Sequence, residues 1–134
     1  MKYICLGYYD KAKFDSLPES ERNAMFDACF EYDEHLRASG HSWGDGIALQ
    51  GSEAALTLSW KNGKVATTDG PYAETKEQLG GLGVLEARDM NHAVQLMSQH
   101  PAVKYGTLWE IRPIGDMSEI KKASEQRRQK AAAY

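Results

Sequence analysis

The dipeptide Asn62-Gly63 constrains this chain more than any other pair of residues in it, because it sits between two short runs of β-rich character. Asn-Gly accepts the positive φ angles of a type I′ turn, whose twist matches that of paired strands. It therefore predicts that Ala54–Trp60 folds back on Lys64–Thr68 as an antiparallel hairpin. Leu56, Leu58 and Trp60 alternate with Ala55, Thr57 and Ser59, the pattern of a half-buried strand.

Lys2–Tyr9 is β-rich and predicts a first strand, followed by a polar, turn-like stretch from Asp10 to Leu17. Pro18 suits a first helical turn, and Glu19 and Glu21 complement the positive end of a helix dipole. Met25, Cys29, Tyr32 and Leu36 then recur at spacings of four, three and four, with Phe26 and Phe30 widening the stripe, and Gly40 ends the helix. The helix is predicted over Pro18–Ser39. His41–Gly51 carries Gly44, Gly46 and Gly51, so any strand there is short or bulged. Asp69–Gly81 is expected as an irregular loop and Leu82–Ala87 as a strand. Asp89 caps a helix from Met90 to about Gln99, with Ala93, Val94 and Met97 inward, and Thr107–Arg112 forms the last strand of the domain.

The resulting order is strand, helix, strands, loop, strand, helix, strand. It predicts an α+β domain, a ferredoxin-like protomer with an antiparallel sheet and two helices on one face. The opposite sheet face then has nothing from its own chain to cover it, and a second copy stacked sheet to sheet would bury it as a homodimer. The domain spans residues 1–115. The tail, 116–134, carries five basic and three acidic residues and few large apolar ones, which predicts an appended surface helix.

Composition narrows the function classes. A chain of 134 residues is one domain. Sixteen Lys and Arg against nineteen Asp and Glu give a net charge of −3, which argues against direct nucleic-acid binding. No apolar run suits a membrane span, and Met1–Asp10 has no signal-peptide pattern, so the expected location is cytoplasmic. Cys5 and Cys29 are expected to be buried thiols. No metal-ligand spacing, phosphate loop or nucleophile elbow occurs, so neither a metal nor a cofactor is expected.

Charged residues within predicted strands are candidate site residues. Glu86 shares a face with Leu82 and Val84. Glu110 and Arg112 share one with Leu108, while Trp109 and Ile111 point the other way. If Trp109 and Ile111 face the helices, Glu110 and Arg112 lie on the uncovered face, and Arg112 is expected to pair with Glu86 or Glu110. The loop Asp69–Gly81 is the densest polar segment, at a sheet end where sites are commonly hung. Asp69 before Gly70-Pro71 is also expected to form an Asx turn, with Gly70 supplying an unusual φ.

Asp69-Gly70-Pro71-Tyr72-Ala73-Glu74-Thr75-Lys76-Glu77-Gln78-Leu79-Gly80-Gly81 closely resembles the signature of the YCII-related family, in its DGPF-domain branch, with Tyr72 where the branch name has Phe. Met1-Lys2-Tyr3, Asn62-Gly63-Lys64-Val65 and Tyr105 through Ile114 extend the resemblance from Met1 to about Ile114. It implies a dimeric α+β barrel of ferredoxin-like protomers and a pocket between the sheet and the signature loop. It also implies a functional link to an extracytoplasmic-function sigma factor, beside which some members are encoded. Relatives with a His–Asp acid–base pair resemble enzymes.

Asp69 matches the signature carboxylate, and His35 or His41, at the end of the first long helix, is its candidate catalytic partner. His92, on the outward face of the second helix, and His100, at its end, are expected to be bystanders. Tyr72, Glu74, Lys76, Glu86, Glu110 and Arg112 are candidate ligand contacts. The expected function is binding of a small, anionic molecule in a regulatory role. The alternative is a cofactor-free acid–base enzyme, an isomerase or an elimination catalyst, using Asp69 with His35 or His41. A dimer with a purely structural role is the third reading.

Overall fold

The computed structural model describes residues 1–41 and 46–133; Gly44 of the glycine-rich stretch lies outside them. Among the described residues six strands and four α-helices follow one another as β1 (Lys2–Asp10), α1 (Lys11–Ser16), α2 (Glu19–Ala38), β2 (Ile47–Ala48), β3 (Leu56–Lys61), β4 (Lys64–Asp69), β5 (Glu77–Glu86), α3 (Met90–Ser98), β6 (Leu108–Pro113) and α4 (Ser118–Ala132). Four strands form an antiparallel sheet in the order β2-β5-β1-β6. That is the ferredoxin-like frame expected from the element order. The β3–β4 hairpin is not part of it but forms its own two-stranded sheet, inserted between β2 and β5. Asn62 (φ 53°) and Gly63 (φ 76°) both take positive φ at its tip, as a type I′ turn requires.

The core lies between the sheet and α2 and α3. Tyr3, Cys5, Leu85 and Ala87 from the sheet meet Leu36 of α2 and Ala93 and Met97 of α3, with Trp109 and Ile111 of β6 packed against them. Trp109 and Ile111 thus face the helices. Strand periodicity puts Ile4, Leu6, Tyr8, Leu82, Val84, Glu86, Leu108, Glu110 and Arg112 on the other face. No element among the described residues packs on that face in the way α2 and α3 pack on its opposite.

Four local expectations are corrected. Residues 11–16 are helical rather than turn-like, because Asp10 caps them by accepting from the Lys13 amide and Phe14 anchors them edge-on to Tyr9 and Phe26. β5 starts at Glu77, five residues earlier than expected. Gly80 does not break it but forms a bulge, where a Cβ would come within 2.7 Å of the Tyr9 ring. Phe26 and Phe30 do not join the core stripe. Phe30 is 61% exposed, and the two rings stack at 6.2 Å on the flank of α2. Val94 is likewise exposed rather than inward.

α4 stands apart as the appended helix expected from composition. Every described residue of it except Ser124 is exposed. No helix among the described residues is long and apolar enough to cross a membrane.

Candidate functional site

The signature segment leaves β4 at Asp69, turns at Gly70 (φ 98°) and enters β5 at Glu77. Among the described residues no hydrogen bond engages the Asp69 side chain, so the Asx turn expected there is not seen; Pro71, two residues on, has no N–H to donate. The Gly70 amide instead donates to the Ala55 carbonyl, and the Thr57 hydroxyl donates to the Gly70 carbonyl at 2.8 Å, so backbone bonds tie the loop to β3. The Thr75 hydroxyl donates to the Glu77 carbonyl at the far end. The loop borders a cleft of about 1300 Å³ between the hairpin and the end of the main sheet. Leu49, Leu56 and Leu58 form apolar wall together with Tyr8 and Leu79. Gln50, Ser52, Glu53, Thr57, Glu74, Thr75, Glu77 and Gln78 supply its polar groups.

The candidate residues divide among three places. Tyr72 and Glu74 line the cleft, whereas Lys76 lies outside its lining and reaches Asp10 at 3.8 Å. Glu86, Glu110 and Arg112 lie on the open sheet face. There Arg112 pairs with Glu110 at 3.0 Å, one of the two partners expected, and Glu86 sits 3.3 Å from the N-terminal ammonium. Asp69 is exposed, opposite Leu56 in the hairpin ladder, and is not among the lining residues.

Neither candidate histidine shares a hydrogen bond or ion pair with Asp69 among the described residues. His35 is exposed on α2, its ring 5.9 Å from that of Tyr32. His41 holds Nδ1 3.1 Å from the Glu86 carbonyl, which requires the proton on that nitrogen, and its ring meets His92 edge to face at 4.9 Å.

The two expected bystanders are both buried, which overturns the outward placement of His92, while His100 stands just past the end of α3 as expected. His92 is 8% exposed. Its backbone amide donates to the Asp89 cap, and its Nδ1 accepts from the Arg88 amide, so backbone and side chain together close the start of α3. Burial holds its pKa below the ordinary value near 6.5, and Arg88 and His41 lower it further against the opposing pull of Asp89. A histidine with a depressed folded pKa stabilises fully above its unfolded value and loses that contribution as pH falls below it. The melting temperature is therefore expected to drop between pH 7.5 and 5.5, and the drop should be smaller in His92→Gln, as thermal unfolding followed by circular dichroism at the two pH values will show. An equal drop in both proteins would assign the acid sensitivity elsewhere.

His100 is 5% exposed. Its Nδ1 accepts from the Ala102 amide, so Nε2 carries the proton and donates to Asp33 of α2 at 3.1 Å. Both ring nitrogens are thus engaged, and the pair fastens α2 to the turn after α3. It has the composition of an acid–base dyad but the geometry of a bolt.

Burial pushes the Cys5 thiol up to about 12 and the Cys29 thiol to about 11, so neither is a ready nucleophile. Among the described residues no group of three or more His, Cys, Asp or Glu is placed to hold a metal ion. The residues that sequence reasoning missed are those of segment 49–55, which supplies one side of the cleft. Their one signal was the glycine-rich approach to a sheet edge.

Two comparisons bear on this arrangement. The sequence profile of the YCII-related domain matches residues 1–118. An uncharacterised protein of Rhizobium meliloti is 28% identical over 116 residues, covering 85% of this chain and 92% of its own.

Proposed function

The chain belongs to the YCII-related family over residues 1–118, and on that premise we propose that it acts as a homodimer that binds a small molecule in the cleft beside the signature loop, without turning it over. The observation that carries this reading is the cleft itself, whose Tyr8 and Leu79 wall continues into the open sheet face. A second sheet stacked on that face would cover Leu6, Leu82 and Val84 and narrow the mouth of the cleft. An apolar face of that extent is unusual on a monomer.

The lining revises the expected ligand class. Glu53, Glu74 and Glu77 are its charged residues, and no Lys, Arg or His is among the described lining. Arg112, on which an anionic ligand depended, is occupied by Glu110. A neutral or cationic molecule with an apolar body suits these walls better than an anion. The acid–base alternative loses the residues it named, because Asp69, His35 and His41 lie outside this lining. Ligand binding without turnover suits a regulatory role, and a sigma factor of the extracytoplasmic-function class is the functional neighbour to test first.

The neutral dye N-phenylnaphthylamine and its sulfonated counterpart anilinonaphthalene sulfonate separate these ligand classes by fluorescence titration. The neutral dye is expected to bind about tenfold more tightly. Glu74→Gln combined with Glu77→Gln should narrow the gap, and Leu58→Asn should weaken both dyes. Equal or tighter binding of the sulfonate, or no effect of Leu58→Asn, would overturn the assignment.

A further inference from the structure

α4 begins where the family match ends, and its composition is matched to a surface elsewhere on the chain. Among the described residues its side-chain-mediated hydrogen bonds stay within 116–132: the Ser118 amide donates to Asp116 Oδ1, and Arg128 Nε donates to Ser124 Oγ. A helix of 15 residues standing by itself is of marginal stability in water, so a lasting α4 needs a surface to lie on. Met117, Ile120, Ser124, Arg127 and Ala131 recur at spacings of three and four and form one narrow stripe, with Met117 and Ile120 both exposed. Lys121 and Arg128 flank it. The helix holds five basic and two acidic residues, a net +3.

α2 presents the complement. Phe26 and Phe30, one turn apart, stack with an interplanar angle of 14° yet remain exposed. Asp27 and Glu34 flank them, and α2 as a whole has six acidic and two basic residues, a net −4. Among the described residues no hydrogen bond or ion pair within one protomer joins α2 to α4, and Phe26, Phe30, Met117 and Ile120 all remain exposed.

We propose that α4 of one copy docks on the Phe26–Phe30 stripe of α2 in a second copy, with Lys121 and Arg128 against Asp27 and Glu34. The occupant is a second copy because both halves of the contact are carried by every chain. Each copy then gives its α4 and receives its partner's, which closes a two-fold arrangement. Arg127, on the stripe itself, lies over the phenylalanine rings, where a guanidinium is attracted to the π face. The contact goes beyond the sheet-to-sheet pairing and uses none of its residues.

A charge swap in the full chain tests it. One protein carries Asp27→Lys and Glu34→Lys, the other Lys121→Glu and Arg128→Glu, and sedimentation equilibrium at low salt measures self-association of each and of their mixture. Each alone is expected to associate about tenfold more weakly than wild type, because like charges then face each other. The mixture should regain wild-type affinity, since both contacts become complementary again in trans. Wild-type association of either protein alone would overturn the α4 contact while leaving the sheet face untested by it, as those residues are unchanged. Weak association that mixing does not restore would overturn it as well, as would α4 pairing within its own chain. Ile120→Lys, exposed and harmless to the core, provides a second variant and should weaken association without changing the helical circular dichroism.

Discussion

Leu85→Ala should cost about 2–5 kcal/mol of stability, the range for removing a large aliphatic side chain from a packed core. Leu85 has no exposed surface and sits in β5 opposite Tyr3, beneath Leu36, Ala93 and Met97. Each of those neighbours is fixed by a regular element, so the cavity left behind cannot collapse cheaply. Urea unfolding followed by circular dichroism reads the loss as a lower midpoint with an unchanged slope. Val94→Ala serves as the control. Val94 is exposed on α3, and its truncation should change stability by less than about 0.5 kcal/mol. A Leu85→Ala protein as stable as that control would place the core elsewhere.

The second large effect concerns the opposite face of the same sheet. Leu6 lies in β1 between Leu82 of β5 and Glu110 of β6, pointing away from α2 and α3. Leu6→Glu puts a carboxylate beside an existing one, in the middle of the surface that a second sheet is proposed to cover. Enclosing it there costs several kcal/mol. The dimer is expected to weaken by at least about a hundredfold, which corresponds to about 2.8 kcal/mol. The protomer should keep its circular dichroism and its helical core, because this side chain is on the face opposite the core cluster and is not part of it. Loss of the fold together with the dimer would mean that the face is not a separable interface.

How much of this was legible in the sequence follows the range of the interactions concerned. The hairpin could be read from Asn62-Gly63 because a positive-φ turn is a local matter. The two faces of β6 could be read from Trp109 and Ile111 alternating with Glu110 and Arg112. α1 was not legible, since a six-residue helix depends on tertiary ring contacts from Phe14 to Tyr9 and Phe26. Phe26 and Phe30 misled for a related reason. They are apolar and nearly in phase with the core stripe, yet they lie round the helix from Leu36 and pack on each other and on Phe14 rather than in the core.

The site was the least legible part. Tyr72 and Glu74 lie in the signature segment and line the cleft, but Asp69, the carboxylate that segment singled out, lies outside the lining, and the other wall comes from residues 49–55, whose pattern is only that of a glycine-rich connection. The Asp33–His100 bolt joins residues 67 positions apart and leaves no spacing to recognise. His92 carried a local cue, three residues after a capping Asp89, but an inward ring at the start of a helix has no periodicity of its own.

Sedimentation equilibrium of the wild-type chain across a broad concentration range tests the pairing of protomers most directly. The expected result is a species of twice the 14.9 kDa chain mass at micromolar concentration. A single species of 14.9 kDa at every concentration would contradict it, and with it the enclosed cleft.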